Sequence, residues 1–340
     1  MKARWFPCVL LVSLLLAVAT WADGDKLVVS GCDVLCRPGE EAALGVVVEK
    51  TGWRHKDAKG ALVSAFLLTP TAREPLGSTV TDHEGRATIP LRFAEPGLYR
   101  VAVEAVVVNE KLNKRGREEF LVACRGTDRV TVVLDIDDTL TAQDSSFLGH
   151  SAAVRDPDTV SVVSALAEQY DLIYVTGRVR WLSPETRRWL EQAGFPRAPL
   201  FLRGLKLEEA LSVETYKAKV LSRLRLDFPN ILIGVGDEDP DVMAYVKNGM
   251  LAILLDEKER ESWNVTRWSE IRELLLGEEV TFTTVLSGSV ERGGRPWRFE
   301  CRKGDGGWVL SAEGKEFARG SWPAVRSALL EHLRGGEPRP

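Results

Sequence analysis

Val130-Thr131-Val132-Val133-Leu134 carries no charge and then stops abruptly at three carboxylates, Asp135, Asp137 and Asp138. A short aliphatic and β-branched run of this kind reads as a buried strand, with the acids on the loop at its carboxyl end. Like charges this close repel, so they need a cation or a shared proton. In an open parallel α/β sheet, ligands bind beyond the carboxyl ends of the strands. The rest of the chain is therefore expected to build such a sheet around this strand.

Residues 129–277 have the required rhythm. Asp171–Val175, Pro199–Leu202, Asn230–Val235 and Leu251–Leu255 are apolar runs that predict four further strands. Helical stretches alternate with them, as in βαβ units. Asp158 is the expected N-cap of a helix to about Gln169. Ser183-Pro184 predicts a cap and a first-turn proline, and that helix ends at Gly194. Further helices are expected over Val213–Leu226, from Pro240 to Asn248, and over Trp268–Leu276. Three of the strands end in polar groups: Asp135 after the first, Thr176-Gly177-Arg178 after the second, and Gly236-Asp237-Glu238-Asp239-Pro240-Asp241 after the fourth.

The flanks differ. Residues 26–125 read as short strands punctuated by Pro38-Gly39, Thr51-Gly52, Asp82–Gly85 and Pro96-Gly97, which predicts a β-sandwich. Residues 280–334 predict a few strands and a closing helix, a small α+β appendage, and the tail from Gly335 to Pro340 is expected to be disordered. Met1–Ala22 has a basic start (Lys2, Arg4), an apolar core over Val9–Val18 and small residues at a cleavage site, the layout of a signal peptide. The apolar run is short for a membrane span, so no transmembrane segment is expected in the mature, exported (periplasmic or extracellular) protein. An uncleaved anchor is the alternative. No Cys stands at the cleavage point, which argues against lipoprotein attachment. Cys32, Cys36, Cys124 and Cys301 remain after cleavage, an even number that permits disulfides in any of three pairings. The formal net charge of −4 over 340 residues gives no sign of general nucleic-acid binding. His55 and His83 are isolated and read as solvated loop residues.

Asp135-x-Asp137-x-Thr139 after such a strand resembles the first motif of the haloacid dehalogenase (HAD) superfamily, the aspartate-nucleophile phosphohydrolases. A closer resemblance, over residues 129–255, is to the lipin-type and actin-patch-associated phosphatidate phosphatases. It is carried by Asp135–Thr141, Tyr174–Arg178, Thr186–Leu190, Pro199–Arg203, Tyr216-Lys217 and Gly236–Tyr245. The segment Thr81–Ala87 with Pro96–Val101 is similar to the immunoglobulin-like modules of exported bacterial proteins. These resemblances imply a multidomain chain. Its centre is an α/β Rossmann-like HAD domain without a large cap, because the intervals Asp137–Thr176 and Thr176–Lys217 are too short to hold one.

The resemblance also implies roles. Asp135 is the nucleophile that forms an aspartyl-phosphate. Asp137 protonates the leaving alcohol, later takes a proton from water, and offers its backbone carbonyl to Mg²⁺. Thr139 fixes the loop and borders the substrate. Thr176 and Gly177 hold a phosphoryl oxygen. Arg178 and Arg180 are read either as grips for a substrate phosphate or, equally, as solvated or salt-bridged residues. Lys217, with Lys219 as the alternate, neutralises charge. Asp237 and Asp241 complete the Mg²⁺ set with Asp135 and Asp137. The loop Asp144–His150 would border the entrance. The implied substrate is a phosphate monoester, phosphatidic acid at a membrane surface. A soluble ester or phosphoprotein and a non-catalytic phosphatidic-acid-binding module are the alternatives. Two departures stand out. Lipins usually carry Gly where Asp138 stands, although the actin-patch relatives favour Asp. The amphipathic N-terminal helix of lipins has no counterpart here.

Overall fold

The computed structural model describes residues 27–50, 56–108, 113–142, 152–204, 212–256 and 262–335. The leader Met1–Ala22, His55, the Asp144–His150 loop and all but Gly335 of the tail lie outside the described residues. Among the described residues, no helix is long and apolar enough to cross a membrane.

Six parallel strands form the central sheet: β10 (Thr131–Leu134), β11 (Asp171–Val179), β12 (Leu200–Arg203), β13 (Ile231–Gly236), β14 (Leu251–Leu255) and β15 (Trp263–Val265). Their order across the sheet is β12-β11-β10-β13-β14-β15. The chain works outward from β10 in one direction, then returns to the other side of β10 and works outward again. Both faces are covered, which explains why these strands read as unbroken apolar runs. Val132 and Leu134 face one core with Leu172 and Tyr174. Val133 faces the other with Ile173 and Val175. Helices α1 (Thr159–Gln169), α2 (Ser183–Ala193) and α5 (Trp268–Leu276) cover the first face through Leu166, Trp189 and Ile271. Helices α3 (Val213–Asp227) and α4 (Asp239–Lys247) cover the second through Tyr216, Leu221, Val242 and Tyr245.

Two expected caps are corrected. Asp158 has helical dihedrals and makes no cap bond; Thr159 Oγ1 instead accepts from Asp156 N at 2.9 Å. Ser183 lies inside α2 and turns its hydroxyl to Glu118, at 3.4 Å. Strand β15 went unforeseen because three residues are too few for a period to show.

Residues 27–124 form two sheets around one core of residues such as Leu44, Val63, Ile89, Val103 and Phe120. The first sheet contains β1 (Leu27–Gly31), β3 (Glu41–Lys50), β4 (Lys56–Asp57) and β7 (Arg86–Arg92). The second runs β2 (Val34–Cys36), β9 (Asn113–Cys124), β8 (Gly97–Val108), β5 (Leu62–Leu68), β6 (Arg73–Val80). Cys36 and Cys124 stand opposite each other on β2 and β9, and all four described cysteines are free thiols. His83 is exposed. These sheets are clamped to the parallel sheet by Asp33. Its fully buried carboxylate takes both arms of Arg187 on α2, at 2.7 and 2.8 Å. It also accepts from the backbone N–H of Leu121 at 2.7 Å and Leu200 at 2.8 Å.

At the other end, β16 (Val285–Arg292), β17 (Arg295–Gly304), β18 (Gly307–Ala312) and β19 (Lys315–Gly320) make an antiparallel meander capped by α6 (Trp322–Leu333). It shares its core with the parallel sheet: Phe299, Trp308 and Trp322 belong to the same apolar cluster as Trp263 and Leu274. Trp322 packs at a tilt against Trp263, with ring centroids 5.5 Å apart, and donates its indole N–H to Leu274 O at 2.9 Å.

Candidate active site

The strand order reverses beside β10, and that is where an open α/β sheet leaves a crevice at its carboxyl end. Asp135 leaves β10 there with its backbone N–H still bonded to Val235 O of β13, at 3.0 Å. The chain then turns sharply, with Leu140 N and Thr141 N both donating to Ile136 O. Asp138 makes that turn with φ at +53°. Left-handed backbone is strained for most side chains and tolerated by Gly, Asn and Asp. The position therefore suits Asp or Gly and disfavours a β-branched residue. Asp138→Val is expected to cost about 2 kcal/mol in a denaturant melt, and Asp138→Gly to stay within about 1 kcal/mol of the parent. Equal effects of the two would refute a backbone cause.

Asp237 leaves β13 next door, and Asp241 stands on the first turn of α4. The close approach needs Gly236: a Cβ there would lie 2.5 Å from Asp241 Cβ. Carboxylate oxygens of Asp135, Asp237 and Asp241 come within 4.8 Å of one another. Lys217, near the start of α3 and 3% exposed, inserts between two of them. Its Nζ lies 2.6 Å from Asp135 Oδ1 and also contacts Asp241 Oδ1. Lys219 is exposed, so the geometry selects Lys217. Gly177 sits beneath the first residue of α3, where a Cβ would meet Val213 at 3.0 Å.

Burial dominates the electrostatics. It pushes the Asp135 carboxyl well above its usual range, against the opposing pull of Lys217. It also raises Asp237 to about 7, with Asp241 and Asp138 adding to the shift and the Thr139 hydrogen bond working against it. Burial alone would lower Lys217, but the Asp135 and Asp241 carboxylates outweigh it and hold the ammonium above the ordinary lysine range. The cluster thus holds more negative charge than one ammonium settles comfortably. Three clustered carboxylates, two of them buried and Asp237 partly so, form a hard-oxygen donor set suited to a divalent cation.

The remaining expected residues divide. Thr139 is fully buried, donates its hydroxyl to Asp237 Oδ1 at 2.7 Å, and does not line the cavity above the acids. Thr176 is also fully buried. Its hydroxyl accepts from Arg178 N at 3.1 Å and lies 3.4 Å from Asp137 Oδ2. The Asp137 carboxylate stands apart from the three-acid cluster and is held by Arg178. Arg180 lines a different cleft, facing the N-terminal sheets beside Cys32. The cavity, about 490 Å³, is lined by the acids and Lys217 together with Val179, Trp181, Leu182, Val213 and Pro240. Arg203 at the end of β12 and the 40% exposed Trp181 also line it, and neither was anticipated. The rule that ligands gather at strand ends would have found Arg203.

The family model described as PITM 1-3, LNS2 domain matches residues 132–252, from β10 through β14. That match supports a HAD-type phosphatase domain in this part of the chain. No curated protein matches. Among solved structures, the chain is similar to a component of the Pnkp1/Rnl/Hen1 RNA repair complex, at 16% identity and TM-score 0.33, over 41% of this chain and 46% of that one. It is also similar to superoxide reductase (neelaredoxin) from Ignicoccus hospitalis, at 14% identity and TM-score 0.20, over 28% and 80%. A third similarity is to the CARDB domain of PF1109 from Pyrococcus furiosus, at 15% identity and TM-score 0.20, over 29% and 94%. The chain spans 46% and 57% of the two RNA-repair chains, and overlaps this slight say nothing about activity.

Proposed function

We propose that this chain is an exported Mg²⁺-dependent phosphatase of the HAD type that hydrolyses a phosphate monoester through an aspartyl-phosphate on Asp135. The observation that carries this reading is the convergence of Asp135, Asp237 and Asp241 around Lys217 at the strand-order reversal. In this reading the centre is a Rossmann-like HAD unit, residues 26–125 are an immunoglobulin-like docking module, and residues 280–334 brace the far side.

A carboxylate oxygen of Asp135 attacks phosphorus in line with the ester oxygen, so the new O–P bond forms as the old one breaks. Asp137 gives its proton to the departing alkoxide, then takes one from the water that cleaves the aspartyl-phosphate. Lys217 neutralises the nucleophile and the transferred phosphoryl group. Gly177 lets backbone N–H groups approach a phosphoryl oxygen. Asp135, Asp237 and Asp241, with the Asp137 carbonyl, would hold Mg²⁺, whose chemistry there is to offset the charge of phosphate and carboxylate together.

Trp181, Leu182 and Val213 line the same cavity as the acids, which suits an amphiphilic ester. Phosphatidic acid is the substrate this favours, at a membrane surface that the chain visits without spanning. The non-catalytic alternative is disfavoured because Asp135 and Asp137 are both present. The test is phosphate release from phosphatidic acid in mixed micelles and from a soluble ester, with Mg²⁺ and after chelation. Release from the lipid that stops on chelation is expected. Cleavage of the soluble ester alone would remove the lipid, and binding without turnover would remove catalysis.

The pH dependence is specific. A cation must displace the proton that Asp237 holds up to about pH 7, so the Mg²⁺ concentration for half-maximal activity should fall as pH rises through that value. The metal-free protein should lose stability in the same direction. Its folded Asp237 retains a proton that the unfolded chain gives up near the usual carboxylate range, so this contribution is complete at low pH and lost as pH passes about 7. A flat Mg²⁺ requirement across that window would contradict the assignment of Asp237 as a ligand.

A further inference from the structure

Arg178 is the penultimate residue of β11 and lines the acidic cavity, where a guanidinium would ordinarily grip a substrate phosphate. Its side chain is only 3% exposed. Nε lies 3.0 Å from Asp137 Oδ1 and 3.1 Å from Oδ2, and Nη2 lies 2.7 Å from Oδ1. Nη1 donates to Thr186 Oγ1 on α2, a residue that does not line the cavity, at 3.3 Å. The Thr186 hydroxyl is itself fully buried. The planar fork is thus engaged along one edge by Asp137 and anchored at its far corner by a helix. A two-point fork fixes both the plane and the direction of a carboxylate, which a single ammonium contact does not. Thr176 Oγ1 lies 3.4 Å from the same carboxylate and accepts from the Arg178 backbone N–H at 3.1 Å, so the strand end braces Asp137 twice.

We infer that Arg178 is a positioning residue that aims the Asp137 carboxyl at the ester oxygen, and not a ligand of the substrate phosphate. The inference rests on the phosphatase reading above. Its consequence is selective. Asp137 matters most when the leaving alkoxide needs a proton, so loss of Arg178 should discriminate between leaving groups.

The experiment uses the full chain with Mg²⁺, an aryl phosphate whose phenolate leaves unaided, and an alkyl phosphate whose alkoxide does not. The value of kcat/KM reports the step that forms the aspartyl-phosphate, where the leaving group departs. In Arg178→Lys and Arg178→Gln, kcat/KM for the alkyl ester should fall about 100-fold and that for the aryl ester less than about tenfold. KM should stay near the parent value for both. Lysine should not rescue, because it lacks the fork. Thr186→Val, which removes only the anchor, should show the same preference more weakly, and it serves if the Arg178 variants do not fold. Equal losses for the two esters with a raised KM would make Arg178 a phosphate ligand and overturn the inference. Equal losses with unchanged KM and a lowered melting temperature would make it merely structural, which overturns it as well. If the parent cleaves neither ester, or Asp135→Asn is fully active, the phosphatase reading itself fails and this inference falls with it.

Discussion

The Asp135→Asn protein should fold and release phosphate about 10⁴- to 10⁶-fold more slowly than the parent, the scale set by removal of a nucleophile from an otherwise intact site. Asparagine keeps the shape of the side chain, and the backbone bond from residue 135 to Val235 is untouched. The amide cannot attack phosphorus, so no acyl phosphate forms. Stability should change little. Burial already works against the charge on Asp135, and Lys217 keeps Asp241 as a partner. Normal melting with lost turnover therefore separates chemistry from folding. Measurement is direct: phosphate release under single-turnover conditions, beside a thermal melt of the same sample. Activity within about tenfold of the parent would place the nucleophile elsewhere.

The central strands were legible because both of their faces are buried. Val132, Val133 and Leu134 could not alternate with polar residues, so the run stood out, and its abrupt end marked the site. Asp135, Asp237 and Asp241 were legible for a similar reason, each falling just beyond a strand or on the helix turn that follows. What stayed hidden depends on distance along the chain. Nothing near Asp33 announces that it meets Arg187, 154 positions away, or that this pair docks the N-terminal sheets. Nothing in Thr-Gly-Arg says that the arginine turns back to Asp137 rather than out to a phosphate. Thr139 reads as a loop residue, yet it crosses to Asp237, which only the pairing of β10 with β13 makes adjacent. The choice between Lys217 and Lys219 needed the face of α3. Two residues on a helix are about 200° apart, so one of them is buried and the other is not. The C-terminal meander looked like an appendage because its apolar residues are sparse. Two are tryptophans, Trp297 and Trp308, and their large surfaces pack into or against the main core.

Lys217→Met is expected to damage both stability and turnover, and Mg²⁺ should repair only the first. The ammonium lies between Asp135 and Asp241, all three nearly excluded from solvent. Removing one partner of a buried ionic group leaves charge without compensation, which generally costs about 3–5 kcal/mol. Methionine fills similar volume, so the loss would reflect charge and not a cavity. Protons supply part of the relief, since burial already favours the neutral form of Asp135. The variant should therefore be least stable at alkaline pH. A divalent cation binds the same carboxylates, so saturating Mg²⁺ should raise its melting temperature more than that of the parent. Turnover is a different matter. The cation does not replace a donor aimed at the transferring phosphoryl group, and a fall in kcat of about 10²–10³ should persist at saturating Mg²⁺. The decisive measurement is a pair of melting curves, with and without Mg²⁺, for parent and variant. If the cation stabilises both equally, lysine and metal act on different carboxylates, and Asp135, Asp237 and Asp241 do not form one cation site.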